Sequence, residues 1–441
     1  MKSSHQRRIT LWSNEELWGQ LLRGGVGSLL ARIAEVLLGL AVVILLARLL
    51  GAPGYGVYTF VFALASLLSV MARGGLVPLV IRETARGQQC GNWGEVKGIW
   101  RWATAISLMM SLLFASGGII GLGLGWGQGE ALRETLFWGL ALIPIMTLVG
   151  IRAASLIGLR HVLAGIFPEQ VLRPAILVVF LFGVLFLSEN GVSPGQAMGL
   201  TVLAGTVSLF VGFWFLNRYR PSELDAATPV YRSRVWLGAA FPLLLTQGFE
   251  QINRYADVLM LGVLAATEDV GVYRVAAQGA LLVSLALFAL TMVVGPFAAR
   301  IHAEGDIARL QTLARRTAQG ALGVAVPATL LFALVGEWLL VTLFGDEFAP
   351  AYWPLLILAL GQLVNTGFGP VGILLNMTGF ERDVTRAVAV AAGLNVLLNL
   401  LLIPSFGVIG AAVATSASLA FWNVWLWLVA HWRLGIRCSA F

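Results

Sequence analysis

Apolar residues run along this chain in long stretches, interrupted by short clusters of Gly, Pro, Ser and charged residues. A helix that crosses a bilayer needs about 20 apolar residues in a row. The pattern yields about twelve such stretches: 24–50, 56–81, 101–125, 135–158, 168–188, 195–217, 235–264, 270–299, 317–344, 351–377, 385–404 and 408–431. Turn chemistry marks the breaks at Gly51-Ala52-Pro53-Gly54, Ser193-Pro194-Gly195 and Pro404-Ser405-Phe406-Gly407. The boundary between the seventh and eighth spans and the start of the fifth are the least marked. Gly367-Phe368-Gly369-Pro370 reads as a break within the tenth span, able to serve as a hinge. The fold class expected is an all-α membrane protein.

The spans form two copies of one unit. Leu49 to Tyr58 nearly recurs about 215 residues on, as Leu261-Gly262-Val263-Leu264 and Asp269-Val270-Gly271-Val272-Tyr273. Pro78, Arg82 and Gly87 recur as Pro296, Arg300 and Gly305. The halves, 24–217 and 235–432, would each hold six spans in the same orientation. A polar linker at 218–234 would join them, between a tail at 1–23 and another at 433–441. Parallel repeats facing each other across a central site are one way membrane carriers are built. In the N-terminal tail, Ser13-Asn14-Glu15-Glu16 reads as a capping box. It opens either a short helix lying on the membrane surface or a plain extension of the first span.

Composition agrees with a bilayer setting. The chain is 58% apolar and 12% charged, with mean hydropathy +0.85. The net charge of +7 is therefore not read as a nucleic-acid footprint. Twenty-one of the 29 Lys and Arg fall in the termini and alternate loops, against one, Arg133, in the opposite loops. That bias places both termini in the cytoplasm. Cys90 and Cys438 lie far apart and offer no disulfide or metal framework. Residues 1–23 lack the apolar core of a cleavable signal.

Charge within the spans is costly, so it tends to face a cavity or a partner. Arg32 and Glu35 share a face of the first span, and Arg73 lies in the second. Arg152 lies in the fourth, Glu169 and Arg173 in the fifth, and Arg274 in the eighth. Glu250, Arg254 and Asp257 follow at i, i+4 and i+7 in the seventh. A lumen between the halves would gather most of them. Each has a structural alternative: Arg48 as an interfacial anchor, Arg73, Arg152 and Arg173 likewise, Arg32 with Glu35 as a buried pair, the seventh-span stripe as a salt-bridge ladder. Arginines exceed carboxylates within the spans. A guanidinium holds phosphate oxygens through parallel hydrogen bonds, so the surplus suits an anionic substrate. The expected substrate set is Arg32, Arg73, Arg152, Arg173, Arg254 and Arg274. The expected ion-coupling or gating set is Glu35, Glu250 and Asp257. Trp422, Trp425, Trp427 and Trp432 read as lipid-facing or interfacial. No Walker loop, metal-spaced His pair or Gly-x-Ser-x-Gly is present. Neither enzymatic chemistry nor a cofactor or catalytic metal is expected.

Several of these stretches resemble the oligosaccharide flippases, the Wzx-like transporters of the multidrug/oligosaccharidyl-lipid/polysaccharide exporter superfamily. They are Ala47-Arg48-Leu49-Leu50-Gly51 with Gly54-Tyr55-Gly56-Val57-Tyr58, and Ala256 to Gly262 with Val270 to Ala276. Leu375-Asn376-Met377-Thr378-Gly379 and Ile403 to Ala412 complete the set. The resemblance covers about residues 20–430. It implies a V-shaped bundle of two six-helix lobes and alternating access. It implies flipping of an isoprenoid-diphosphate-linked oligosaccharide, such as an O-antigen, capsule or exopolysaccharide unit, across a bacterial inner membrane. Membrane lipids, a polysaccharide polymerase and its co-polymerase are the implied partners. Two rival readings stay open: a cation-coupled drug antiporter of the same fold using Glu35, Glu250 or Asp257, and a scaffold of an envelope-assembly complex.

Overall fold

A computed structural model describes residues 14–440, except Trp126, Gln128, 188–190 and Arg437. The side chains of 14–30, Leu187 and Thr246 are outside that description, as is Ser13 of the expected capping box. The described residues form helices and no strand. The first half comprises α1 (Asn14–Arg73), α2 (Leu76–Cys90), α3 (Trp93–Gly123), α4 (Glu130–Gly158), α5 (Val162–Phe167), α6 (Arg173–Leu187) and α7 (Pro194–Tyr219). A π-helical turn over Pro168–Leu172 joins α5 to α6. The short α8 (Ser222–Ala226) lies in the linker. The second half comprises α9 (Ser233–Leu264), α10 (Thr267–Leu281), α11 (Leu285–Ala303), α12 (Ile307–Phe344), α13 (Tyr352–Phe368), α14 (Val371–Met377) and α15 (Glu381–Leu434).

Nine helices among the described residues are long and apolar enough to cross a membrane. Two of them, within α1 and α15, are two helices merged across one non-helical glycine, Gly51 and Gly407. The clusters expected to form loops at 51–54 and 404–407 are therefore sharp corners of a single residue. Gly51 takes φ 66°, a left-handed backbone that glycine adopts without a Cβ clash. The 32-residue α9 is not among the nine, since it carries Glu250, Arg254 and Asp257. Gly74 and Gly75, both at positive φ, divide the second predicted span into the end of α1 and α2. Gly369, at φ 73°, separates α13 from α14, where the Gly-Pro cluster predicts a break. At the N-terminus α1 runs on unbroken from Asn14 into the first span.

The largest apolar core joins both halves. It holds Leu46, Ala52, Tyr55 and Tyr58 of α1, Met198 of α7, Leu261 of α9, and Val272 and Ala276 of α10. Its centre is the crossing of α1 and α10. A Cβ on Gly56 would meet the Gly271 nitrogen at 3.2 Å, and one on Gly271 would meet the Gly56 nitrogen at 3.2 Å. The two glycines of the repeated motif thus pack against each other. A second core lies within the C-terminal half, around Leu310, Leu374, Val388 and Leu426. Trp422 and Trp425 pack against it, so only Trp432 of the expected lipid-facing tryptophans is strongly exposed, at 75%.

The linker is bound to the first half. Lys97 donates to the carbonyls of Asp225 and Ala227 at 2.8 and 2.9 Å. The Val230 amide donates to Gly94 at 2.9 Å, and Arg232 pairs with Glu95 at 2.6 Å. Trp236 and Ala240, at the start of α9, share a core with Leu79, Ile99 and Ile151. The second half therefore begins in contact with the first.

Candidate functional site

Asp257 lies at the centre of a buried polar network. Its side of α9 faces α10 and α15, and the residue is 4% exposed. One carboxylate oxygen accepts from the Tyr273 hydroxyl at 2.8 Å. The other accepts from the side-chain amides of Asn395 at 3.1 Å and Asn399 at 2.6 Å. Tyr273 and Thr415 share a 2.9 Å hydroxyl contact, and Asn395 reaches Ser418 at 3.3 Å. The Asn399 amide oxygen is buried without a hydrogen-bond partner. Asn395 and Asn399 are one helical turn apart, so both reach the same carboxylate. Signals for this network were in the sequence as neutral polar residues inside an apolar span. Weighing only ionisable residues passes over them.

The expected stripe divides. Glu250 and Arg254 are exposed while Asp257 is buried. Among the described residues no ion pair links the three, so the ladder alternative finds no geometric support here. The helix turns its Asp257 face into the second half and leaves Arg254 on another.

The remaining arginines of the expected set fall into four settings. Arg32 pairs with Glu35 at 2.6 Å, and its guanidinium lies 4.4 Å from the centre of the Phe288 ring on α11. The first span thus touches the second half through a cation–π contact. Arg73 donates to the Ser69 carbonyl at 3.2 Å and lies against Gly150 of α4, where a Cβ would come 3.2 Å from its guanidinium carbon. Glu169, in the π-helical turn, and Tyr255 of α9 are within electrostatic reach of it.

Arg173 and Arg274 converge from opposite halves on a stack of aromatics. Tyr55 and Tyr58 stack at 6.5 Å, and Tyr58 and Phe62 at 6.1 Å. Arg173 lies 5.8 Å from the Phe62 ring and acts electrostatically on Tyr58. Arg274 acts electrostatically on Tyr55 and Tyr58. Neither arginine is in an ion pair among the described residues. Tyr58 itself bonds Thr201 at 2.9 Å, which fixes the stack against α7.

Arg152 sits apart. Its guanidinium covers Phe213 of α7 at 3.5 Å, beside a small cavity between α4, α5 and α7 that Ser208 and Gly165 also line. It belongs to the interior of the first half and not to the junction of the halves. No group of three His, Cys, Asp or Glu able to hold a metal occurs among the described residues.

Residues 45–352 match the sequence profile of a family described as polysaccharide biosynthesis protein. A probable low-salt glycan biosynthesis flippase of Haloferax volcanii is 25% identical over 166 residues, 38% of this chain. That match spans 35% of the relative's own length. Two solved structures share the fold. An inward-facing multidrug resistance transporter of the MATE family superposes with TM-score 0.75 at 13% identity, over 92% of this chain and 98% of that one. The lipid II flippase MurJ, in an inward closed conformation, superposes with TM-score 0.73 at 14% identity, over 92% and 87%.

Proposed function

Since the chain belongs to the polysaccharide biosynthesis protein family, we propose that it flips an isoprenoid-diphosphate-linked oligosaccharide across the inner membrane of a bacterium by alternating access, from twelve spans with both termini cytoplasmic. It is a multi-pass membrane protein of the transporter fold shared with MATE transporters and MurJ, and not an enzyme. The observation that carries the substrate reading is the convergence of Arg173 and Arg274 on the Tyr55–Tyr58 stack without a carboxylate to neutralise either. Two unpaired guanidinium groups at the junction of two repeats suit a diphosphate, which accepts parallel hydrogen bonds from each. Arg32, Arg73 and Arg254 would extend the positive path, and the lipid tail would stay in the bilayer. An organic cation would meet this surplus of positive charge unfavourably, so the drug-antiporter alternative ranks second.

Asp257 would be the coupling-ion site. One buried carboxylate ringed by neutral amides and hydroxyls suits a monovalent cation or a proton. Turning the Asn399 amide over would aim its unpartnered oxygen at the carboxylate, and Thr415 would add another. Glu35 would act through its hold on Arg32, and Glu250 with Arg254 as an exposed gating pair.

The test is translocation of a polyprenyl-diphosphate oligosaccharide in proteoliposomes. Replacing Arg173 and Arg274 together with Ala should lower the rate at least about tenfold, the loss of about 1.4 kcal/mol or more of interaction with the diphosphate. A wild-type rate in the double variant would overturn the reading.

A further inference from the structure

We propose that Arg48 and Glu347 are the latch that holds the outer side of the transport path shut. The proposal rests on the alternating-access reading above. Each residue caps a helix end of the opposite half. Arg48, near the end of the first part of α1, donates to the Leu343 carbonyl at 2.7 Å and also to that of Thr342. Both carbonyls lie in the last turn of α12, where a helix runs out of internal partners and carries its partial negative charge. Glu347, just after α12, accepts from the Ala52 amide at 2.7 Å. Ala52 begins the second part of α1, so its amide lacks a partner within the helix and lies at a positive helix end.

The corner between the two is built for this approach. A Cβ on Gly51 would stand 2.8 Å from a Glu347 carboxylate oxygen, and the positive φ there already favours glycine. Beneath the latch, Tyr55 meets Phe348 edge-on at 6.4 Å, followed by the Gly56–Gly271 crossing. The latch uses backbone partners only; Arg48 and Glu347 do not pair with each other among the described ion pairs. It is also one-sided. In the register that sets Gly271 against Gly56, Val263 stands where Arg48 does, so the second half has no matching arm. Both latch residues are exposed. Their bonds can be exchanged for water as the halves part, which makes the hold directional yet reversible.

The experiment measures the separation of spin labels at Glu130→Cys and Asp346→Cys, in a protein with Cys90 and Cys438 replaced by Ala and reconstituted in nanodiscs. Wild type should show mainly a short separation, with a longer one appearing on addition of undecaprenyl diphosphate. Arg48→Ala and Glu347→Ala should each raise the ratio of long to short about fivefold without ligand, as loss of a net hydrogen bond of about 1 kcal/mol would. Arg48→Lys keeps one charged donor, and Glu347→Gln keeps an oxygen for the Ala52 amide, so both should recover most of the short population. The conservative pair guards against variants that fail to fold. If wild type opens with the probe while Arg48→Ala and Glu347→Ala match its resting distribution, the latch is refuted and alternating access stands. If no protein shows a second separation under any condition, the latch and alternating access both fall.

Discussion

Asp257 is a charge inside an apolar helix, held by three neutral donors. Its role as a coupling site and its role in the fold separate by substitution. Asp257→Asn keeps the shape and removes the charge, so translocation should lose its dependence on an imposed sodium or proton gradient while the protein inserts normally. Asp257→Ala leaves two amides and a hydroxyl without their acceptor, at about 1–3 kcal/mol each, and should lower the melting temperature in detergent as well. Equal gradient dependence in wild type and Asp257→Asn would remove the residue from coupling. Arg32 permits a similar split. Arg32→Lys can still reach Glu35 but loses the planar contact with Phe288. It should retain part of the transport rate, and Arg32→Ala little. Full rescue by the double change Arg32→Ala with Glu35→Ala would show the pair to be structural. At this scale the sequence exposes ionisable residues well, because a charge in an apolar run stands out. It hides Asn395, Asn399 and Thr415, since amides and hydroxyls are common in spans and only a shared carboxylate makes them a site.

Among elements, the α1–α10 crossing is the tightest feature. Gly271→Ala would press a methyl group onto the Ala52 carbonyl oxygen, and Gly56→Ala one onto the Thr267 carbonyl oxygen. Backbone cannot yield as a side chain does, so either change should destabilise by about 1–3 kcal/mol, read as a lower midpoint of thermal unfolding. Gly39, with nothing near its Cβ position, should accept Ala without such a loss. The C-terminal tail offers a second test. Beyond α15 it folds back: the Ala440 amide donates to Gly367 at 3.0 Å, in the last turn of α13, and Gln319 donates to the Ala440 carbonyl at 3.3 Å. Cys438 is buried there while Cys90 is exposed. Burial pushes the Cys438 thiol up to about 12, so little thiolate forms near pH 8. A maleimide should label one cysteine in the native protein and two after denaturation, as counted by intact mass. Two labels without denaturant would mean that the tail is not docked.

For the whole molecule, orientation is the first test. Cysteines at Ala266 and at Ser222, each alone in a background lacking Cys90 and Cys438, should differ. An impermeant thiol reagent should reach Ala266→Cys in intact cells and Ser222→Cys only after permeabilisation. Labelling of the second in intact cells would overturn the proposed topology with both termini inside.

Fold class was determined by the sequence alone, because a bilayer admits few solutions: apolar runs of sufficient length must become helices that satisfy their own backbone. The repeat was equally legible, since Gly56 and Gly271, Tyr58 and Tyr273 stand at matched places in two copies of one pattern. Tertiary structure decided which way each polar side chain points. Helical spacing set Glu250, Arg254 and Asp257 on one stripe, yet packing against α10 and α15 buries Asp257 and leaves the other two exposed. Arg152, one arginine among seven within the spans, is claimed by Phe213 inside the first half, and Arg48, which read as an interfacial anchor, meets carbonyls 294 and 295 residues away. Periodicity records the face of a single helix. Which neighbour covers that face depends on contacts between segments hundreds of residues apart, and no local pattern encodes them.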